Sequence, residues 1–464
     1  LKIYTTIDSR IQQYAEEAVA TYMPILQEQF YNHWEDEGTD SIPAPFDQEM
    51  RPGQVDTILM KATHGSERYR KLIKNNVSEE DIQEVFNTPV KMNVFTWNGG
   101  VDTVISPKDS ILHYKALLQT GMMSMDPQTG FIKAWVGGID HHYFQYDHVK
   151  EARRQVGSTF KPFVYAAAID QHNYSPCMKI PNVQVIFEKE TWGLEEDWIP
   201  RNSGEKYGGE LNLKEALANS VNTITAYLMK QVGPRKVRKF ARAMGLKGRI
   251  PPAPSICLGT PDVSIYEMVG AYGTFANKGV YSSPIFLNRI EDKNGIVLDE
   301  FSPITKEVLS EEKAYVILNL MQGVTTRGSG VRLRWKYGFK NQIAGKTGTT
   351  QNQSDGWFMG VVPNLVTGVW TGAEDRGVHF RDITLHDGST IRLETISKEH
   401  DPSDAVAALT ALHQAEINAK HVTGLLYFDN TKASLAEDLG LVEKPLIDVA
   451  EDELRPDKST LDKI

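Results

Sequence analysis

The chain has 464 residues, 41% of them hydrophobic and 24% charged, the balance of a water-soluble globular protein, which excludes disordered, collagen-like and coiled-coil chains. At about 150 residues per domain this length predicts two or three domains, able to bury roughly three quarters of the unfolded surface without covalent staples. Lys plus Arg number 50 against 60 Asp plus Glu, a formal net charge of −10, so the global field repels nucleic acid and anionic lipid and neither is predicted as a partner.

No stretch approaches the roughly 18 apolar residues of a membrane span. The opening Leu1-Lys2-Ile3-Tyr4 is neither an initiator sequence nor a signal-peptide start, so the chain reads as a part of something longer. Ser9-Arg10-Ile11-Gln12 has the spacing of a capping box, and apolar residues at 11, 14, 18, 22, 25, 26 and 30 recur with a helical period, predicting a long first helix. Residues 33–105 are polar and broken, with short helical pieces at 67–73 and 79–86 and no ligand cluster. Residues 1–115 therefore read as a small accessory or linker domain.

From Leu117 the character changes. Residues 122–125, the turn Asp126-Pro127-Gln128-Thr129-Gly130 and residues 131–136 predict strand, turn and strand. Residues 213–232 are helical in pattern with Gly233 and Pro234 as stop signals, and 235–244 end at Gly245. Three strand-like runs follow at 342–348, 356–362 and 365–371, the last two joined by Pro363-Asn364, which predicts an antiparallel meander. Strands first and last with helices between them give the fold class α+β, an antiparallel sheet flanked by helices. We place this main domain at 116–400 and a C-terminal helix and tail at 401–464, with a helix at 403–420 after a charged, irregular stretch.

The chemistry begins at Arg153-Arg154-Gln155-Val156-Gly157-Ser158-Thr159-Phe160-Lys161-Pro162, which runs into an apolar helix. Pro162 is tolerated only near a first turn, so the helix must start close to Ser158. That places a hydroxyl at the positive end of the helix dipole with Lys161 one turn on, a nucleophile beside a base, provided the amine's pKa falls from about 10.4. Taken alone, Ser158 reads as an N-cap and Lys161 as a solvated helix residue, since Ser-x-x-Lys arises about once by chance in such a chain. Ser220-Val221-Asn222 interrupts the helical run after Ala218, either as capping chemistry or as a hydroxyl and an amide offered in a loop. Lys346-Thr347-Gly348-Thr349 ends a strand, and a Lys-Thr-Gly string is expected only about 0.05 times by chance.

In this order, and each in its own element, the three motifs resemble the signature of penicillin-recognising serine acyltransferases. The resemblance extends to Tyr4-Thr5-Thr6-Ile7-Asp8, the hairpin at Asp126, Gly137-Gly138, residues 153–165, Leu213-x-x-Ala216-Leu217, Ala271-Tyr272-x-Thr274-Phe275-Ala276-Asn277-x-Gly279 and Ala344-Gly345 through Thr350. Over about 1–371 the chain is similar to the transpeptidase half of a class A penicillin-binding protein, with the linker that precedes it, and without the membrane anchor and glycosyltransferase domain of that bifunctional family.

The resemblance implies the penicillin-binding, serine β-lactamase-like fold and a D,D-transpeptidase that cross-links peptidoglycan stem peptides and is acylated by β-lactams. Ser158 is then the nucleophile, Lys161 its base and Ser220 the proton relay. Lys346 tunes Lys161, and Asn222 binds the substrate amide. Thr347, Gly348 and Thr349 form the substrate edge, the two threonines holding the terminal carboxylate. The backbone N–H groups of Ser158 and Thr349 form the oxyanion hole. No cofactor and no metal is implied, and the location is extracytoplasmic, in the periplasm or on the outer face of the cytoplasmic membrane.

A D,D-carboxypeptidase would use the same residues and admit water. A β-lactamase-like hydrolase would need a deacylation base, and no Glu-x-x-x-Asn arrangement follows Asn222, while Glu215 lies in the helix before it. A noncatalytic β-lactam-binding or scaffold module would be expected to lose Lys161 or Lys346. Trp192, Trp198 and Tyr207 read as packing of a long loop or as a cleft wall. The adjacent His141 and His142 point apart, so no metal site is predicted there.

Overall fold

The computed structural model describes residues 1–34, 43–51 and 53–380, together with the backbone of 383–384 and 390–391. The helix predicted at 403–420 and the charged run at 386–398, apart from 390–391, lie outside the described residues.

Strand β1 (Lys2–Thr5) leads into α1 (Ser9–His33), whose cap is Asp8 rather than the predicted box at Ser9. The Asp8 carboxylate accepts from the N–H groups of Arg10 and Ile11, satisfying donors that a helix start leaves open. Gln12, the fourth letter of the apparent box, does something else. Its side-chain amide pairs with the backbone of Trp135, accepting from N–H at 2.7 Å and donating to the carbonyl at 2.9 Å.

Helices α2 (Gln54–Gly65), α3 (Glu67–Lys74) and α4 (Glu79–Asn87) follow, the last two close to their predicted positions. The hairpin β2 (Val90–Thr96) and β3 (Gly99–Ile105) was not predicted. Its apolar alternation at Val90, Met92 and Val94 and the Asn98-Gly99 pair at its turn are present in the sequence, but β3 is largely exposed and carries little hydrophobic contrast.

After α5 (Pro107–Lys115), the main layers are built from β4 (Leu118–Met125), β5 (Ile132–Val136), α6 (Lys161–His172), α7 (Leu213–Ala218), α8 (Asn222–Val232), α9 (Pro234–Ala243) and α10 (Ile265–Ala276). They continue through β6 (Leu287–Glu291), β7 (Val297–Glu300), α11 (Glu311–Arg327), β8 (Ala344–Thr349), β9 (Gly356–Val362) and β10 (Leu365–Ala373). The central sheet runs β8-β9-β10-β4-β5, antiparallel throughout, so the predicted meander closes onto the first hairpin through β10 and β4.

Both faces of this sheet are buried, because the two-residue side-chain period feeds two cores. Trp357, Met359, Val366, Trp370, Met123 and Met125 join the core of α6, α8, α10 and α11. Phe358, Val369, Ala373, Leu118 and Met122 alternate with them and meet Ala15, Val19, Met23 and Phe30 of α1. Each such side chain fully withdrawn from water contributes about 1.5–3 kcal/mol. The first 33 residues are thus part of the main layers, and β1 pairs antiparallel with β6, which pairs with β7. Among the described residues no helix is long and apolar enough to cross a membrane.

Candidate active site

Ser158 lies in a 3₁₀ turn, Gly157–Phe160, and not in the first turn of the α-helix that the sequence predicts; α6 proper begins at Lys161 with Pro162 in its first turn. The tighter turn has three residues per repeat, so residues 158 and 161 sit directly over one another, and the Lys161 N–H donates to the Ser158 carbonyl. The turn is wedged in place. Gly157 N–H donates to Gly259 O at 3.0 Å, and Tyr272 Oη donates to Thr159 O at 2.6 Å. Gly157 has φ of +53°, and a Cβ there would lie 2.7 Å from the Thr349 carbonyl oxygen; one on Gly259 would lie 1.7 Å from Gly157 O. Only residues without side chains allow this approach, which brings the half-buried Ser158 against the end of β8.

Ser220 occupies the break between α7 and α8. Its N–H donates to Leu217 O at 3.1 Å, and the N–H of Val221 to Ala216 O at 2.9 Å, the paired bonds of a Schellman ending, with φ of +54° at Ser220. Glycine usually fills that position. A serine held there carries left-handed strain of about 1–2 kcal/mol, and strain of this kind concentrates at functional sites.

The third element is β8, a terminal strand of the sheet as predicted. Lys346 and Lys161 are both fully buried, and they converge on Ser220. Lys346 Nζ donates to Ser220 Oγ at 2.9 Å and to the Thr347 carbonyl at 2.9 Å. Lys161 Nζ donates to Ser220 Oγ at 3.1 Å, to Asn222 Oδ1 at 2.6 Å and to the Ser220 carbonyl. Burial first, then the charge of Lys161, hold Lys346 well below the ordinary lysine range. The hydroxyl and the carbonyl that Lys346 contacts carry no negative charge to offset its burial.

Lys161, Ser220, Asn222 and Lys346 are therefore one hydrogen-bonded cluster, with Ser158 one short turn from Lys161 and Gly348 packed on Val156 and Thr159. Asn222 is already engaged at both ends, since Nδ2 donates to Arg201 O at 2.7 Å; one of its two N–H bonds remains for a ligand. Thr347 Oγ1 shares a 2.6 Å hydrogen bond with Ser329 Oγ, and Thr349 is half-buried at the strand end.

Sequence reasoning missed two supports. Ser329 follows α11, and its N–H donates to Ala218 O at 3.0 Å, so this turn ties the end of α7 to β8. Asp355, fully buried, accepts from Arg154 Nε at 2.6 Å and Trp370 Nε1 at 2.9 Å, linking the segment before Ser158 to the segment after Thr349. Asp355 lies six residues after Thr349, which was the available signal; Ser329, 17 residues before Lys346, carried none. Trp192 and Trp198 pack on Phe187 with ring centroids 5.2 Å away in both pairs, the loop-packing alternative, while Tyr207 is on the surface. Among the described residues no group of three or more His, Cys, Asp or Glu is placed to hold a metal ion.

Comparison with known proteins agrees with this geometry. The penicillin binding protein transpeptidase domain matches residues 120–373, and the penicillin-binding protein middle domain matches residues 42–118. Penicillin-binding protein 1A of Aquifex aeolicus is 32% identical over 383 residues, covering 80% of this chain and 50% of its own length; the chain thus spans about half of that relative. In fold it is similar to penicillin-binding protein 1A from Haemophilus influenzae, with a TM-score of 0.63 and 18% identity over 91% of this chain and 68% of that one. It is also similar to PonA1 from Mycobacterium tuberculosis, with a TM-score of 0.59 and 19% identity over 91% and 87%.

Proposed function

This chain belongs to the penicillin-binding protein transpeptidase family, and we propose that it is a D,D-transpeptidase that joins peptidoglycan stem peptides through an ester on Ser158. The observation that carries the reading is the Ser220 hydroxyl bonded by two buried amines, Lys161 at 3.1 Å and Lys346 at 2.9 Å, with Lys161 one 3₁₀ turn after Ser158. An amine without its proton beside a hydroxyl is a general base for that hydroxyl.

In this mechanism Ser158 Oγ attacks the carbonyl carbon between two D-alanines while Lys161 Nζ takes its proton. The backbone N–H groups of Ser158 and Thr349 receive the oxyanion. The C–N bond breaks as Ser220 Oγ passes a proton to the departing D-alanine amine, and the cluster of Lys161 and Lys346 restores the Ser220 proton. An amine from a second stem peptide then attacks the ester, which re-forms an amide and returns the proton to Ser158 Oγ. The edge of β8 aligns an extended peptide, with Thr347, Gly348 and Thr349 beside its carboxylate and the spare Asn222 N–H on its amide. β-Lactams enter by the same attack, the ring amide opening onto Ser158. These substrates place the enzyme on the extracytoplasmic side of the membrane.

Intact-mass spectrometry after incubation with penicillin tests the reading. The expected result is one adduct of the drug's own mass that persists for many minutes and is absent from Ser158→Ala. A D-Ala-D-Ala donor with a D-amino acid acceptor should give more exchange product than hydrolysis product. An adduct surviving in Ser158→Ala would overturn the nucleophile, rapid return of free enzyme with drug turnover would mark a β-lactamase, and dominant hydrolysis a carboxypeptidase.

A further inference from the structure

Helix α8 has a bare first turn. The residue at its cap position, Val221, has no side-chain acceptor, and no side chain of the helix itself caps it. The missing acceptor comes from far upstream. Asn202, 6% exposed, turns its Oδ1 to the backbone N–H groups of Asn222 and Thr223, both at 3.0 Å, and to Thr223 Oγ1 at 3.3 Å.

Its own amide is held just as tightly. Asn202 Nδ2 donates to Asn182 Oδ1 and to the Lys206 carbonyl, each at 2.9 Å. Asn182, 8% exposed, accepts the Thr223 hydroxyl at 2.6 Å and donates to the same Lys206 carbonyl at 3.2 Å. With Nδ2 fixed on a carbonyl and a carbonyl oxygen, the Oδ1 of Asn202 can face only the helix start.

The consequence reaches the active site through Asn222. Arg201, the neighbour of Asn202, accepts Asn222 Nδ2 at 2.7 Å, so two consecutive residues grip Asn222 by its backbone and by its side chain. That grip decides the amide's orientation. With Nδ2 on Arg201 O, the opposite atom, Oδ1, faces Lys161 Nζ at 2.6 Å; rotated by half a turn, the amide would present N–H to an amine.

We propose that Asn202 is a positioning residue for acylation. It caps α8 from outside the helix, fixes the place and orientation of Asn222, and through Asn222 aims the Lys161 amine at Ser158. The role rests on the function proposed above, so the test separates the two.

The experiment measures acylation by a fluorescent penicillin on active-site-titrated protein, resolving the limiting rate constant from the half-saturating concentration. Because a displacement near 1 Å costs up to about 100-fold, Asn202→Ala should lower the limiting rate constant by about 10- to 100-fold and raise half-saturation, through the Asn222 amide, by much less. Hydrogen exchange on the same variant should accelerate the amides of Asn222 and Thr223 relative to the rest of α8, a local change that a general loss of folded protein would not give. An Asn202→Ala limiting rate equal to wild type, or unchanged exchange at those two amides, overturns the proposal.

Should Asn202→Ala fail to fold, Asn182→Ala removes the group that aims the Asn202 amide and should give a smaller loss of the same kind; an unchanged rate there overturns the proposal too. If wild-type protein takes no penicillin at all, the functional reading falls by itself. The positioning claim is then decided by hydrogen exchange, where Asn202→Ala must accelerate the amides of Asn222 and Thr223 relative to the rest of α8, and unchanged exchange overturns it.

Discussion

Replacing Arg154 with Met should loosen the protein more than the loss of an ordinary ion pair. Arg154 has a side chain only 12% exposed and bonds a carboxylate, Asp355, that is fully buried. The exchange leaves that carboxylate with no cation closer than Arg376, whose Nε lies 4.0 Å from Oδ2, and breaking a buried pair from one side costs about 3–5 kcal/mol. Trp370 Nε1 and the hydroxyls of Thr350 and Ser354 still donate to Asp355, at 2.9, 3.2 and 3.4 Å, which puts the cost at the lower end, about 3 kcal/mol. At about 2–4 °C per kcal/mol for larger domains, thermal denaturation should begin roughly 10 °C lower. Circular dichroism melts give the shift, and penicillin acylation read on the same protein should slow, because the pair joins the segments before Ser158 and after Thr349. Arg154→Met combined with Asp355→Asn removes the stranded charge and should be more stable than Arg154→Met alone, since the remaining donors suit a neutral amide oxygen. A shift for Arg154→Met within the 0–1 kcal/mol of a surface pair, or a double variant no better than the single, would refute the reasoning.

Lys346→Met should abolish efficient acylation and at neutral pH raise the melting temperature. The amine's folded-state pKa is depressed by burial and by Lys161, so below the unfolded value of about 10.4 the folded state bears a cost that grows as pH falls; melts from pH 7 to 10 should show the gain shrinking, and a variant less stable than wild type at pH 7 would contradict it. His148 makes the second pH prediction: burial first, then Arg154, lower its pKa to about 4, so its neutral ring supports the fold above about pH 6.5 and that support is lost as pH falls toward 4. The loss is about 3 kcal/mol, and because His148 stacks on Trp370, His148→Phe should flatten the acid limb of the stability curve; an unchanged limb would mean the ring does not govern it.

The fold class and the order of the catalytic elements were legible because they are written in periodicity and punctuation. Gly233-Pro234 stops a helix, Pro363-Asn364 turns a strand, and Pro162 pins the start of α6, all local facts. The site motifs were legible because Ser158 and Ser220 lie at helix boundaries and Lys346-Thr347-Gly348-Thr349 closes a strand. What could not be read is what crosses between segments. Asp8 outcompetes Ser9 as a cap because its carboxylate meets two N–H groups, and Gln12 is drawn off to an edge strand more than a hundred residues away. Asp355 reads as a loop acid until Arg154 is folded onto it, and the 3₁₀ turn at Ser158 follows from the contact of Gly157 with Gly259, which no local pattern announces.

Ser220 is where the costs of the site meet. Its backbone is left-handed without being glycine, its hydroxyl is shared by two buried amines, and the Lys346 amine is held below its ordinary range. Glycine at this position would ease the turn yet remove the hydroxyl through which Lys346 and Lys161 meet. A sheet buried on both faces can hold such an arrangement, because strain of about 1–2 kcal/mol is small beside the contribution of even one of its core tryptophans and its neighbours. The unfavourable terms all concern one hydroxyl and two amines, the groups that must exchange protons, while the supports at Asp355, Ser329 and Gly259 lie outside them. That separation explains how the cluster is held in one geometry: the rigidity is supplied from behind it, and the two amines meet on one hydroxyl, within reach of the proton they must exchange.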